Sequence, residues 1–199
     1  MSRLVHPSEN GYQRDVSIRA DRLATYFRYD AFTHKQTSQY SLAFEKASII
    51  FNISAVHSCH AANQNRSEEL GIKSAFHSFQ ASAGMFTYIN ENFLHAPSTD
   101  LSRETVKTLI NIMLAQAQEV FLERVIADGK KSGFLAKLAS QAGVLYAQAV
   151  EGVQENVQKG VFERVWLLLC QVWLSSQVEM VHPNWTLLYY RLSKTLWTH

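Results

Sequence analysis

The sequence predicts an all-α protein whose long helices stack as antiparallel neighbours, in a tetratricopeptide-like solenoid. Three observations predict this class. Prolines occur only at positions 7, 97 and 183, so long stretches of chain are free to be helical. Apolar residues recur at helical spacing through most of the chain, and short polar or glycine-containing segments separate the periodic stretches. Small residues recur where helices would pack closely, as in solenoids of helical hairpins, although no exact internal repeat occurs.

The composition is typical of one folded domain of 199 residues, since 47% are hydrophobic and 18% are charged. The formal net charge of +2 gives no sign of a surface for nucleic acid or for membranes. Two cysteines, Cys59 and Cys170, do not make a disulfide framework and favour reduced thiols in the cytosol. The N-terminus lacks the apolar core of a secretory signal, and the longest apolar run, residues 166–174, is too short for a membrane span of about 20 residues.

The first two helices are predicted over residues 41–64 and 67–93. In the first, the residues at helical spacing are Leu42, Ala43, Ala47, Ile50, Ile53, Ser54 and His57. In the second, the predicted buried face comprises Leu70, Ile72, Ala75, Phe76, Phe79, Ala83, Phe86 and Ile89. Acidic residues at the start of the second helix favour an N-terminus there.

Three further helices follow a loop predicted over residues 94–102, which is rich in residues that end or cap helices. The third helix is predicted over about 103–128, and a glycine- and lysine-containing turn follows it. The fourth covers about 134–157, and a fifth begins after the Lys159-Gly160 break. Because the connections are short, neighbouring helices are expected to run antiparallel.

Both ends of the chain depart from this pattern. Residues 1–30 are polar and mixed, with at most a short strand or helix near 24–32. Residues 175–199 lose the alternation of small and large side chains, and Pro183 interrupts any helix there. The apolar residues that follow this proline would need to be covered by something.

Four runs of the central sequence match a known family in order: DAFTHKQTSQYSLAFEKASIIFNISAV (30–56), FHSFQASAGMFTYINENFLHAPSTDLSRETV (76–106), LAQAQEVFLERVIADGKKSGFLAKLASQAG (114–143) and EGVQENVQKGVFERVW (151–166). Together they resemble the BRO domain of the ALIX-type endosomal-sorting family, with the nearest likeness to its fungal vacuolar protein-sorting member. The resemblance divides the chain into a poorly defined N-terminal segment (1–29), a partial BRO domain (30–172) and a divergent C-terminal tail (173–199).

The resemblance implies a non-enzymatic adaptor built on a tetratricopeptide-like core, with no cofactor and no small-molecule substrate. Such a domain docks the C-terminal amphipathic helix of an ESCRT-III filament subunit and helps to sort cargo into multivesicular bodies. The implied location is the cytoplasm, peripheral at endosomes, with membrane association only through partners.

Two departures from the family leave alternatives open. The family's helices and small sheet before Asp30 are not recognisable, and its further long helix after Val172 is missing. A truncated product without independent function is therefore one alternative. A scaffold in ambient-pH signalling, the role of a paralogous branch, is another.

The family's partner-binding patch falls on Phe121, Phe134 and Leu138 of this sequence. Elementary geometry agrees, because Phe134 and Leu138 are four residues apart and share a helical face. If the chain reverses near Lys130, Phe121 comes level with Leu138 on the adjacent antiparallel helix. The three side chains would then form one apolar patch suited to an amphipathic partner helix. The alternative is that all three are core residues, as apolar side chains on a helix usually are.

The surroundings of this patch carry their own expectations. Lysines at 130, 131 and 137 either attract an acidic partner helix or simply belong to a solvated turn. In the third helix, Met113, Leu114, Ala117 and Val120 are expected to pack against flanking helices. Gln116 and Glu119 are left for polar contacts between helices or for solvent.

Other kinds of site have little support. His57, Cys59, His60 and His77 invite a metal interpretation, but His57 and Cys59 lie on different sides of a helix and no second ligand pair has zinc-type spacing. The sequence has neither a G-x-S-x-G nucleophile motif nor a glycine-rich phosphate loop. These observations predict a protein without catalytic or metal residues.

Overall fold

The computed structural model describes residues 25–93 and 97–180, and within them it confirms the all-α class. The five helices are α1 (Leu42–Ala62), α2 (Glu69–Asn92), α3 (Arg103–Ala127), α4 (Ser132–Gln158) and α5 (Arg164–Met180). Two short strands, β1 (Tyr26–Tyr29) and β2 (Gln36–Gln39), precede them, and a 3₁₀ turn spans Thr99–Leu101. The helix bounds lie within three residues of those predicted from the sequence wherever a boundary was given.

A glycine follows each of the helices α3 and α4. Gly129 follows α3 with a φ of 66°, and Gly160 follows α4 with a φ of 70°. A residue without a Cβ adopts this left-handed conformation at little cost, and its amide then binds a carbonyl of the last helical turn. The amide of Gly129 donates to the carbonyl of Ile126 at 2.9 Å, and that of Gly160 donates to the carbonyl of Val157 at 3.0 Å. The chain can therefore reverse within a few residues.

Each helix packs against the helices that precede and follow it, so the stacking order is α1–α2–α3–α4–α5. Small side chains let α1 and α2 approach closely. The hydroxyl of Ser54 donates to the backbone carbonyl of Ser82 at 2.8 Å, and the hydroxyl of Ser82 donates to the carbonyl of Ser54 at 2.9 Å. Between α3 and α4, buried Asn156 accepts from the Thr105 hydroxyl at 2.9 Å. These four polar side chains are thus paired across the helices.

The strands form an antiparallel hairpin that is fixed to the connection between α2 and α3. Tyr26 pairs with Gln39 and Tyr29 with Gln36, so the four residues of each strand are in register. A strand near 24–32 is thereby confirmed, whereas β2 was not predicted. Asp30, just after β1, accepts the amide of Asp100 at 2.8 Å, and Arg28 pairs with the Asp100 carboxylate at 2.5 Å.

The residues of α1 that were singled out by their helical spacing are not all buried. Leu42, Ala43 and Ile53 are exposed, while Phe44 and Phe51 are buried. As the first helix of the described stack, α1 packs mainly on α2 and the hairpin, and the Phe51 ring meets the Phe86 ring edge-on with centroids 5.3 Å apart.

The predicted face of α2 holds except at two positions. Leu70, in the first turn, is 78% exposed, and Phe76 is only half-buried. Both lie in the half of α2 that is nearer its N-terminus, although Ile72, Ala75 and Phe79 in the same half are buried.

The helix α5 continues through Val172 to Met180. The remainder of the predicted tail and most of the predicted N-terminal segment lie outside the described residues. Over residues 25–93 and 97–180, no helix combines the length and apolar character that a membrane crossing requires.

Candidate partner-binding surface

The turn between α3 and α4 positions the three predicted site residues on adjacent helices. The side-chain amide of Gln118 on α3 donates to the carbonyl of Leu138 on α4 at 3.4 Å, which fixes these two positions beside each other. Phe121 lies about one turn beyond Gln118, and Phe134 about one turn before Leu138. All three therefore lie at the end of the helix pair that carries the turn, on neighbouring helical turns.

Burial differs between these side chains and their neighbours in sequence. Phe121 is 37% exposed and Phe134 is 46% exposed, whereas Leu138 is half-buried. Beside Phe121, Val120 and Leu122 are almost completely buried. The face of α3 that carries Phe121 is therefore distinct from the faces that pack into the core.

The apolar surface extends to a third helix through a contact that the sequence did not single out. The ring of Phe121 lies against that of Phe76 on α2, with centroids 5.8 Å apart. Phe76 had been assigned to the buried face of α2, but it is half-buried. Its helical spacing identified it as apolar and inward-facing, and only the tertiary packing places it beside Phe121. We call Phe76, Phe121, Phe134 and Leu138 the apolar patch.

The expectations for the rest of α3 are confirmed with two exceptions, Leu114 and Gln116, and the Gln116 side-chain oxygen is buried without a hydrogen-bond partner among the described residues. Met113, Ala117 and Val120 are buried between flanking helices, but Leu114 is 37% exposed. Leu114 directly follows Met113, and one residue along an α-helix rotates the direction of the side chain by about 100°. This rotation is enough to point Leu114 away from the packed seam.

Glu119 makes the polar contact between helices that was expected of it. The Tyr146 hydroxyl of α4 donates to its carboxylate. Burial raises the pKa of the Glu119 carboxyl, and the hydrogen bond from Tyr146 opposes this rise only in part. Burial, together with this contact, raises the pKa of Tyr146 far above its ordinary range. The neutral phenol of Tyr146 thus links α4 to α3 through this carboxyl.

Charged groups border the apolar patch on two sides. Lys130, Lys131 and Lys137 are exposed around the turn, where their ammonium groups face solvent. Towards α2, the Arg66 guanidinium pairs with the Glu123 carboxylate at 3.2 Å, and burial raises the pKa of Glu123. The positive charge at the turn is therefore accessible, while the nearby acidic group is engaged with an arginine.

Of the histidines considered for a metal site, His60 makes a hydrogen bond with a serine. The imidazole of His60 lies 3.1 Å from the Ser74 hydroxyl, an ordinary hydrogen bond between α1 and α2. Across the described part of the chain, no three His, Cys, Asp or Glu side chains converge as metal ligands.

A stack of antiparallel helices with an exposed apolar patch defines a helical-solenoid domain. The BRO1-like domain family model matches residues 20–175, and the chain belongs to this family.

The vacuolar protein-sorting protein bro-1 of Neurospora crassa is 79% identical over 147 residues, which are 74% of this chain and 14% of that protein. Rhophilin-2 of Mus musculus is 38% identical over 139 residues. This chain covers 65% of its own length in that match and 20% of the mouse protein. The chain thus spans about a seventh of the length of the fungal relative.

Solved structures share the fold. The complex of ALIX BRO1 with CHMP4C superposes with a TM-score of 0.77 at 28% identity, covering 96% of this chain and 60% of that one. ALIX in complex with the SIVmac239 PYKEVTEDL late domain gives a TM-score of 0.74 at 29% identity, covering 85% of this chain and 25% of that one. Both likenesses confirm the predicted resemblance to the ALIX-type BRO domain.

Proposed function

We propose that this chain is a non-enzymatic docking module of endosomal cargo sorting. Its apolar patch binds the C-terminal amphipathic helix of an ESCRT-III filament subunit, with Phe121, Phe134 and Leu138 as the anchoring side chains. Two likenesses support the proposal: the fungal relatives are named as vacuolar protein-sorting proteins, and the related ALIX domain was solved with CHMP4C. The partial BRO domain of residues 30–172 carries this activity.

The proposal rests on the position of the exposed side chains Phe121 and Phe134 within the stack of helices. Phe121 and Phe134 are on α3 and α4, and each of these helices already has a packed neighbour on either side. Their exposure is therefore not explained by a missing adjacent helix. Large apolar side chains that remain exposed in such a position are typical of a surface that a partner covers.

The chemistry of the patch fits an amphipathic helix with acidic flanks. Apolar residues of the partner would pack against the aromatic rings, in the manner of a helix bound in a groove. Lys130, Lys131 and Lys137 would meet carboxylates at the rim, where charge affects association rate and salt dependence more than affinity. Endosomal location then follows from the bound filament, and the module needs no cofactor.

The test is to titrate a labelled peptide of the ESCRT-III C-terminal helix against the wild type and Phe134→Asp. Phe134 is 46% exposed, so docking can bury roughly 90 Å² of a side chain that buries about 200 Å² in full. At ~25 cal/mol per Å² that area contributes about 2 kcal/mol, or roughly a 30-fold change in Kd. Position 134 is in the first turn of α4, where a carboxylate favours the helix, so the variant should fold normally.

Two further variants make the titration specific. Leu138→Asp should also weaken the complex, because it places a charge beside the same ring. Val56→Asp is the matched control, since Val56 is 67% exposed on α1, and α2 separates α1 from the two helices that carry Phe121, Phe134 and Leu138. Equal affinities for the wild type and both patch variants, with unchanged circular dichroism, would refute docking at this surface.

A further inference from the structure

Two aromatic residues of the apolar patch lie at the same height on neighbouring helices. Gln118 on α3 and Leu138 on α4 are level with each other, because the Gln118 side chain donates to the Leu138 carbonyl. From this level, Phe121 lies three residues nearer the turn between α3 and α4, and Phe134 lies four residues nearer it. At a rise of about 1.5 Å per residue, the two phenylalanines differ in height by only about 1.5 Å.

Phe76 extends this pair to a row across three helices. Its ring on α2 lies 5.8 Å from that of Phe121, centroid to centroid, with the two planes inclined by 37°. Because α3 packs between α2 and α4, the order along the row is Phe76, Phe121 and Phe134. Axes of packed helices are about 8–10 Å apart, so the row spans about 16–20 Å from α2 to α4.

The accessible part of the Phe76 ring is not explained by a missing neighbour of α2. This helix packs against α1 on one side and α3 on the other. Beside Phe76, Ala75 and Phe79 already fill the buried face, since they are 0% and 1% exposed. Phe76 lies at the edge of that face and meets Phe121, with part of its ring left accessible.

The apolar surface is interrupted along the seam between α3 and α4. On the side that carries the patch, the next turn of each helix presents Gln118 and Gln141. Leu114 and Leu145 lie about one turn further, and a cleft between the two helices follows them. The lining of this cleft is mainly polar and charged, with Glu104, Lys107, Asn111, Gln148, Glu151 and Glu155. A partner helix along the seam would therefore meet polar side chains, whereas the row offers it three aromatic rings in succession.

We propose that Phe76 is a further anchoring residue and that the partner helix lies across α2, α3 and α4, along the row of Phe76, Phe121 and Phe134. This inference rests on the proposed function, because it sets the direction in which the same partner binds. A length of 16–20 Å corresponds to about 11–13 residues of a helix. The partner is thus an amphipathic helix whose apolar stripe extends over at least about three turns, with Phe76 at one end and Phe134 at the other.

The first test titrates the labelled ESCRT-III peptide against the full chain with Phe76→Leu. This change removes the aromatic ring and keeps an apolar side chain of good helix propensity. Kd should rise about two- to tenfold, as the loss of an aromatic contact implies. Tyr88→Leu is the matched control, because Tyr88 is 39% exposed on the same helix, about three turns from Phe76, and it should leave Kd unchanged.

The second test separates direct contact from an effect of Phe76 that is transmitted through Phe121. Each apolar residue of the peptide is replaced by alanine, and every peptide is titrated against Phe76→Leu and Phe134→Leu. Double-mutant cycles then identify the peptide position that is coupled to each phenylalanine. The two coupled positions should lie about 11 residues apart.

Coupled positions at this separation, together with the weaker binding of Phe76→Leu, support the proposal. Binding of Phe76→Leu that equals that of the wild type overturns it, and so do coupled positions less than about two turns apart. In both of these cases, loss of binding in Phe134→Asp would still support the docking function. A wild type that does not bind the peptide refutes the docking function itself, and this inference with it.

Discussion

Removing the positive charge from Arg28 should destabilise the protein in a strongly pH-dependent way. The Arg28 guanidinium lies 2.5 Å from the Asp100 carboxylate, and the two side chains are 10% and 0% exposed. The same carboxylate accepts the amide of Ala31 at 2.9 Å. Arg28→Met keeps much of the apolar stem but leaves Asp100 buried without its cation. An unpaired buried charge is so costly that the carboxyl should take up a proton instead.

The free-energy cost of protonating Asp100 sets the size of the expected loss of stability. Burial already raises the pKa of Asp100 above its ordinary value of 3.8, so protonation favours the folded state. Holding a carboxyl of this ordinary pKa neutral at pH 7 costs about 4 kcal/mol, and at pH 5 it costs about 2 kcal/mol. The variant should therefore lose about 3–4 kcal/mol of unfolding free energy at pH 7 and about half as much at pH 5. The hydrogen-bonded Asp30, whose pKa is lowered, is present in both proteins and contributes little to the difference.

Urea unfolding followed by circular dichroism at both pH values measures this difference. Arg124→Met is the matched control, because Arg124 makes exposed pairs with Glu69 at 3.3 Å and Asp128 at 3.1 Å. Such pairs contribute under ~1 kcal/mol, so the control should change little at either pH. If Arg28→Met resembles the control, or if its loss is the same at pH 5 and pH 7, the assignment of Asp100 as a buried charge held by Arg28 is wrong.

Three smaller changes test the seams between helices by the same urea assay. Tyr146→Phe removes the donor to the buried Glu119 carboxyl, and we expect a loss of about 1–3 kcal/mol at pH 7. The loss of unfolding free energy should be smaller at pH 5. Burial raises the pKa of Glu119, so as the pH falls this carboxyl becomes protonated at a higher pH in the folded state than in the unfolded state. Gly152→Ala would make the new Cβ overlap the Thr108 hydroxyl and should cost about 1–3 kcal/mol. Gly84→Ala meets nothing within 4 Å inside α2 and should stabilise the protein by about 0.4–1 kcal/mol. If Gly152→Ala had the higher unfolding free energy of the two glycine variants, the packing described for α3 and α4 would be contradicted.

The positions of the helices could be predicted because local chemistry decides them. Gly129 and Gly160 supply the left-handed residues that end α3 and α4, and Ser102 caps the start of α3 by accepting the Thr105 amide at 3.3 Å. The strand β2 could not be found in the same way. Its four residues, QTSQ, have no apolar alternation, and they become a strand because β1 lies beside them.

Which face of each helix is buried was harder to predict, because several helices are apolar on more than one side. In α1, Phe44 and Phe51 compete with Ile49 and Ile53 for the core, and spacing alone cannot choose between the two sets. The hairpin decides the outcome, since the Arg28 guanidinium lies over the Phe51 ring at 4.8 Å. The choice depends on a contact between segments that are distant in sequence. For the same reason, the sequence did not predict that Phe76 lies beside Phe121.

Exposed apolar side chains in a stack of helices have two physical origins, and position in the stack distinguishes them. Ile49 and Val56, 49% and 67% exposed, lie on α1, at one end of the described stack. Their exposure indicates where a further layer would pack, as does that of Leu168 and Val172 on α5. Phe121 and Phe134 lie on helices with neighbours on both sides, so another layer of the same solenoid would not cover them. Charged substitutions at the ends should therefore change stability and self-association, whereas those at the apolar patch should change affinity for a partner helix at constant stability.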